Sequence, residues 1–121
     1  MRMTEMTFPD ARPIDGYGPG FFRIGGEVVD GPICVGPAGL TAWSGLGDGA
    51  PLLALAGEVD VLFLGTGAEM AAVPAELREA LENAGIGVEQ MASPTACRAY
   101  NITLSEGRRV ALAAMPVQAP D

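Results

Sequence analysis

The feature that most limits how this chain can fold is Val59-Asp60-Val61-Leu62-Phe63-Leu64, a short, nearly continuous apolar run closed by Gly65-Thr66-Gly67. Such a run reads as a strand covered on both faces, which places it at the centre of a sheet. The residues that follow support this. Over 74–84, Leu77, Ala80, Leu81 and Ala84 fall on one helical face, while Glu76, Arg78, Glu79 and Glu82 fall outside it. Gly85 stands where a glycine commonly ends a helix, and 86–91 reads as a second strand. Strand, helix and strand with short connections make a βαβ unit, so the two strands are expected parallel, with a right-handed crossover. Ser93-Pro94 then reads as a cap and a first-turn proline. The helix it opens runs to about Leu104, with Ala96, Tyr100 and Leu104 on one face. Glu106-Gly107-Arg108 ends it, and 109–115 is a last strand.

The first half of the chain has a different rhythm. Residues 1–20 carry turn signals at Phe8-Pro9-Asp10, Arg12-Pro13, Gly16 and Gly18-Pro19-Gly20, and read as an extended arm. Phe21-Phe22-Arg23-Ile24 and Glu27-Val28-Val29 flank Gly25-Gly26, a hairpin signal because both turn residues tolerate positive φ. Ile33-Cys34-Val35 is a short strand. Residues 40–44 read as another, containing Trp43, an anchor for the core or for a partner. Pro51 to Gly57 reads as a short helix. The 121 residues fit one α/β domain, with 1–13 and 117–121 as mobile arms.

Composition narrows the chemistry more than the fold. The formal charge is −8, and the seven basic residues are all arginine; lysine and histidine are absent. That excludes a Ser-His-Asp or Cys-His site, a His-based zinc site, a Schiff-base lysine and a P-loop lysine. An acidic chain without a basic run is also a poor nucleic-acid binder, since that affinity begins with phosphate neutralisation. The mean hydropathy of +0.27 is high, but no apolar run approaches the roughly 20 residues that a spanning helix needs. Met1-Arg2-Met3-Thr4-Glu5 does not open a secretory signal, so a cytoplasmic protein without direct membrane insertion is expected. Cys34 and Cys97 fit no metal pattern and are expected as buried free thiols. No cofactor is expected.

Three groups of residues invite a functional reading. Gly65-Thr66-Gly67 after a strand suggests a dinucleotide loop. Met70 stands where the third glycine of that motif belongs, so a plain turn is favoured. Arg98, Tyr100, Asn101, Glu106 and Arg108 form the densest polar group. They read either as an anion or partner patch with arginine as a bidentate donor, or as structural bonding within the helix and its turn. Placement of Gly65–Gly67 and Ser93 at the same sheet edge would set Arg98 within reach of the glycine loop. Glu58 and Glu69 lie at opposite ends of a strand about 20 Å long, too far apart for two-carboxylate catalysis, and read with Asp60 as solvated charges.

Pro94-Thr95-Ala96-Cys97-Arg98-Ala99-Tyr100-Asn101 followed by Glu106-Gly107-Arg108-Arg109-Val110-Ala111 resembles the C-terminal signature of a family of small domains. Gly65-Thr66-Gly67, Trp43 and the block from Ile14 to Phe21 resemble its other conserved blocks. The family comprises uncharacterised bacterial and archaeal proteins together with the mitochondrial respiratory complex I assembly factor 3. The resemblance runs from about Ile14 to Pro116. Two departures stand out: Ala99 replaces the usual threonine, and Gly47-Asp48-Gly49-Ala50-Pro51 replaces an acidic helix-opening segment. The resemblance implies a three-layer α/β fold, with a mixed sheet, helices on one side and an antiparallel sheet of extended strands on the other. It also implies action through partner proteins, some of them membrane-associated, and no catalysis. Two functions therefore stand: a protein-interaction domain assisting assembly of a membrane respiratory complex, or a small-molecule or anion-binding domain built on 65–67 and Arg98.

Overall fold

The structure, a computed structural model, describes residues 11–117; the expected arms at 1–13 and 117–121 lie largely outside the described residues. Strands β1 (Ile14–Gly18), β2 (Phe21–Ile24) and β3 (Glu27–Asp30) form an antiparallel sheet in that order. Then come β4 (Ile33–Gly36), β5 (Gly39–Thr41), α1 (Ala50–Leu53), β6 (Val61–Gly65), α2 (Ala75–Asn83), β7 (Gly87–Met91), α3 (Ser93–Ser105) and β8 (Val110–Ala114). The second sheet has the order β5-β4-β8-β6-β7. Its strands β8, β6 and β7 are parallel, while β4 and β5 add to one side as an antiparallel hairpin.

The βαβ expectation is met: β6 and β7 are parallel neighbours, in register from Val61 opposite Gly87 to Gly65 opposite Met91. The central placement of β6 is met as well, because β8 pairs along its other edge. Alternation along these strands separates two cores, one on each face of the second sheet. Phe63, Val110, Leu112, Ile33 and Val35 point to one face and pack with Ile14, Phe22 and Ile24 of the antiparallel sheet and with Ala96, Cys97 and Tyr100 of α3. Leu62, Leu64, Ala111, Ala113 and Cys34 point to the other face and pack with Trp43, Leu52, Leu55 and Leu81. The α/β class, the mixed sheet and the separate antiparallel sheet are those the resemblance implies, with α1 and α2 opposite the antiparallel sheet; α3 differs, packing on the same face as that sheet. Burying apolar groups on both faces at about 25 cal/mol per Å² explains why β6 needs no polar alternation.

Two expectations are corrected. Residues 14–18 are a strand, not part of an arm: β1 pairs with β2 across an irregularity between Ile14 and Gly16. A Cβ at Gly18 would sit 2.5 Å from the ring of half-buried Phe21, so any other residue there would make that ring shift. The strand expected over 40–44 ends at Thr41. Trp43 turns inward instead, 6% exposed, and its Nε1 donates to Asp48 O at 2.9 Å.

Candidate functional site

In an open sheet with parallel strands, ligands bind at the carboxyl ends of those strands. Here that edge is formed by Gly65, Met91 and Ala114, and it is tied together by Ser93. The Gly67 N–H donates to Ser93 Oγ at 2.9 Å, and Ser93 Oγ donates to Met115 O at 2.6 Å. Ser93 N–H donates to Gly67 O at 2.7 Å, and Met115 N–H donates to Gly65 O at 3.0 Å. Ser93 is fully buried. It was expected to cap α3; instead it is the first residue of the helix, with Ala92 at the cap position and no side-chain cap bond. Its hydroxyl serves two other segments. Gly65 makes the approach possible, because a Cβ there would lie 2.6 Å from Ser93 Oγ and 2.9 Å from its Cα. Gly67 has φ +111°, a conformation other residues rarely adopt.

Thr66 completes the closure. Its N–H donates to Met91 O at 2.9 Å. Its hydroxyl donates to Glu69 O at 2.8 Å and accepts from the Ala71 N–H at 2.9 Å, which folds the loop after β6 back on itself. The N–H groups of Thr66 and Gly67 therefore both have acceptors within the fold. Arg78 of α2 holds β7 from the side: it donates to Gln90 Oε1 and to Val88 O at 3.4 Å, and pairs with Glu82 at 3.3 Å.

The polar group on α3 divides. Tyr100 is fully buried and its hydroxyl donates to Arg12 O at 2.9 Å. Burial pushes its phenol well above the ordinary range. Asn101 grips β1 from both sides: Oδ1 accepts from the Ile14 N–H at 2.8 Å, and Nδ2 donates to Ile14 O at 2.9 Å. These two residues fasten α3 to the antiparallel sheet. Arg98, Glu106 and Arg108 are exposed, and among the described residues no hydrogen bond or ion pair joins them to each other or to 65–67.

At the opposite end of the parallel strands, Arg109 Nη2 meets Asp60 Oδ1 at 2.8 Å and its Nη1 donates to Gly57 O at 3.3 Å. The hydrogen bond from Arg109 holds the Asp60 carboxyl below its usual value. Cys34 and Cys97 are free and buried in different cores. Burial pushes the first thiol up to about 11 and the second to about 12, so neither is a ready nucleophile at neutral pH. Among the described residues no group of three or more His, Cys, Asp or Glu could hold a metal ion.

Sequence reasoning missed Ser93 as a hub and Arg78 as a tie. Ser93 had a visible signal: a small hydroxyl residue directly after one strand, with a glycine ending the neighbouring strand. Arg78 had none, since it sits among exposed charges on a helix that reads as solvated.

A family model described as a protein of unknown function (DUF498/DUF598) matches residues 14–115. An uncharacterised protein of Rhodobacter capsulatus is 47% identical over 97% of this chain and 94% of its own length. The NADH dehydrogenase (ubiquinone) 1 alpha subcomplex assembly factor 3 of Danio rerio is 35% identical over 83% of this chain, and the match spans 62% of that factor's length. Among solved structures, one described as an outer membrane protein from Bartonella henselae superposes with a TM-score of 0.84 at 33% identity, covering 90% of this chain and 98% of that one.

Proposed function

Because the chain belongs to the DUF498/DUF598 family of proteins of unknown function, we propose that it is a non-catalytic protein-interaction domain that assists assembly of a membrane respiratory complex. The observation that carries this reading is the 35% identity to a respiratory-complex assembly factor over 83% of the chain. The chemistry of the sequence supports it: without histidine or lysine, most acid–base and covalent mechanisms lack their usual groups. Its partners are proteins, some membrane-associated, and it works from the cytoplasm without inserting. No helix of the described residues is long and apolar enough to cross a membrane.

An anion site on Gly65, Thr66, Gly67 and Arg98 has less behind it, because the Thr66 and Gly67 N–H groups already have acceptors. The test is crosslinking in the native cell followed by capture from the membrane fraction. Enrichment of respiratory-complex subunits or assembly intermediates over an unrelated acidic domain is the result expected. Saturable binding of phosphate or a nucleotide, with no subunit captured, would overturn the proposal in favour of the anion site.

A further inference from the structure

Away from the closed strand end, an apolar recess stands open among the described residues. A groove of about 320 Å³ is lined by Val29, Pro32, Leu40, Thr41, Ala42 and Trp43. Val29 belongs to β3 and Leu40 and Thr41 to β5, so the groove lies between the last strands of the two sheets. Among the described residues each of those strands pairs on one side only: β3 with β2, and β5 with β4. Free backbone edges therefore flank an apolar recess, and Leu40 at its rim is 39% exposed. A free edge beside pockets for alternate side chains is the arrangement that receives an added strand.

Charge says what kind of strand. Between Arg23 and Arg78 the sequence has no basic residue and seven acidic ones. Glu27 is exposed and shares the Val29 face of β3 by alternation, and Asp48 lies just beyond Trp43, its carboxylate accepting from Ser44. The nearest arginine in sequence, Arg23, pairs opposite Val28; since Val29 faces the groove, alternation turns Arg23 the other way. We propose that this groove takes an extended segment of a partner protein in which apolar residues alternate with arginine or lysine. The segment adds as a strand along β5, seats an apolar side chain between Val29 and Trp43, and sets its cations against Glu27 and Asp48. A second copy of the chain is a poor occupant, because each copy carries a net charge of −8 and would bring like charge to an acidic rim. The inference rests on the protein-interaction reading above and names the surface and the partner chemistry.

The test uses the full chain labelled for amide NMR and two short synthetic peptides of the same apolar residues, one alternating with arginine and one with glutamate. The arginine peptide is expected to shift the amides of Val29 and of 40–43 saturably, and to bind more weakly as salt rises. Leu40→Arg should weaken it at least tenfold while leaving the melting temperature in place. Glu27→Arg should reverse the preference toward the glutamate peptide. Equal binding of both peptides, shifts confined to other surfaces, or concentration-dependent self-association through 40–43 would each overturn the proposal. Capture from the membrane fraction separates the two levels. If Leu40→Arg captures the same subunits as the unaltered chain, the groove is wrong and the interaction reading stands. If the unaltered chain captures none, both fall.

Discussion

The two ends of the three parallel strands are held in opposite ways. At the carboxyl end a buried serine hydroxyl, two glycines and the backbone of 65–67, 91 and 115 bond to one another away from water. At the amino end the Asp60 N–H donates to Arg109 O and the Gly87 N–H to Asp60 O, each at 2.9 Å, and the side-chain tie is the Asp60–Arg109 ion pair between the residues just before β6 and β8, both side chains more than half exposed, at 59% and 57%. Buried polar groups are costly to leave unpaired, whereas exposed ion pairs contribute little. The comparison teaches that the end where a ligand would be sought carries the structural load, and that the polar groups left free for a partner lie elsewhere.

The sharpest way to break the comparison is to fill the space Ser93 needs. Gly65→Val should destabilise the fold by about 3 kcal/mol or more, because even its Cβ would press on the Ser93 backbone. A denaturant melt near that of the unaltered chain would show that the edge is looser than described. Next, Ser93→Ala leaves the Gly67 N–H and Met115 O without their partner and should cost about 1–3 kcal/mol. Asn101→Ala, which frees both backbone groups of Ile14, belongs in the same range. Its loss should expose 14–18 to proteolysis before the parallel strands.

The amino end should respond far less. Asp60→Asn should lower the melting temperature at neutral pH only slightly. Arg109 lowers the folded-state value of this carboxyl, so its contribution is present above the unfolded value and is lost as pH falls through the folded one. The two proteins should therefore diverge only above pH about 4 and converge in stronger acid. A large loss for Asp60→Asn would remove the contrast. Smallest of all, Arg98→Ala should change stability by less than about 0.5 kcal/mol, since the side chain is exposed and unbonded among the described residues. A large drop would mean that α3 depends on it.

Much of the parallel half was legible because period and punctuation agree there. The apolar run before Gly65, the amphipathic 74–84 and the glycine at 85 each pointed to one element, and each element formed. The first half was harder to read. Glycines and prolines at 16–20 look like an arm, but Asn101 of α3 holds Ile14 of β1 and Tyr100 holds Arg12 just before it, and no local pattern reports a bond across nearly ninety residues. Trp43 lay within an apolar stretch that looked like strand, and the pull of its indole N–H toward Asp48 ended the ladder early. On the candidate site, residue type was informative and grouping was not. Glycine loop, tyrosine and asparagine were all singled out, yet Asn101 bonds to β1, Tyr100 to the Arg12 carbonyl just before it, and the loop to Ser93. The apolar groove was invisible in sequence because its walls come from two sheets.

The most direct test of the closed strand end follows the backbone amides of Thr66, Gly67 and Ser93 by NMR while phosphate and a nucleotide panel are titrated into the full chain. The account requires these three resonances to stay in place and their hydrogens to exchange as slowly as those of the central strand. Saturable shifts at Thr66 and Gly67, with Arg98 moving alongside them, would contradict it and return the glycine loop to the role of a ligand site.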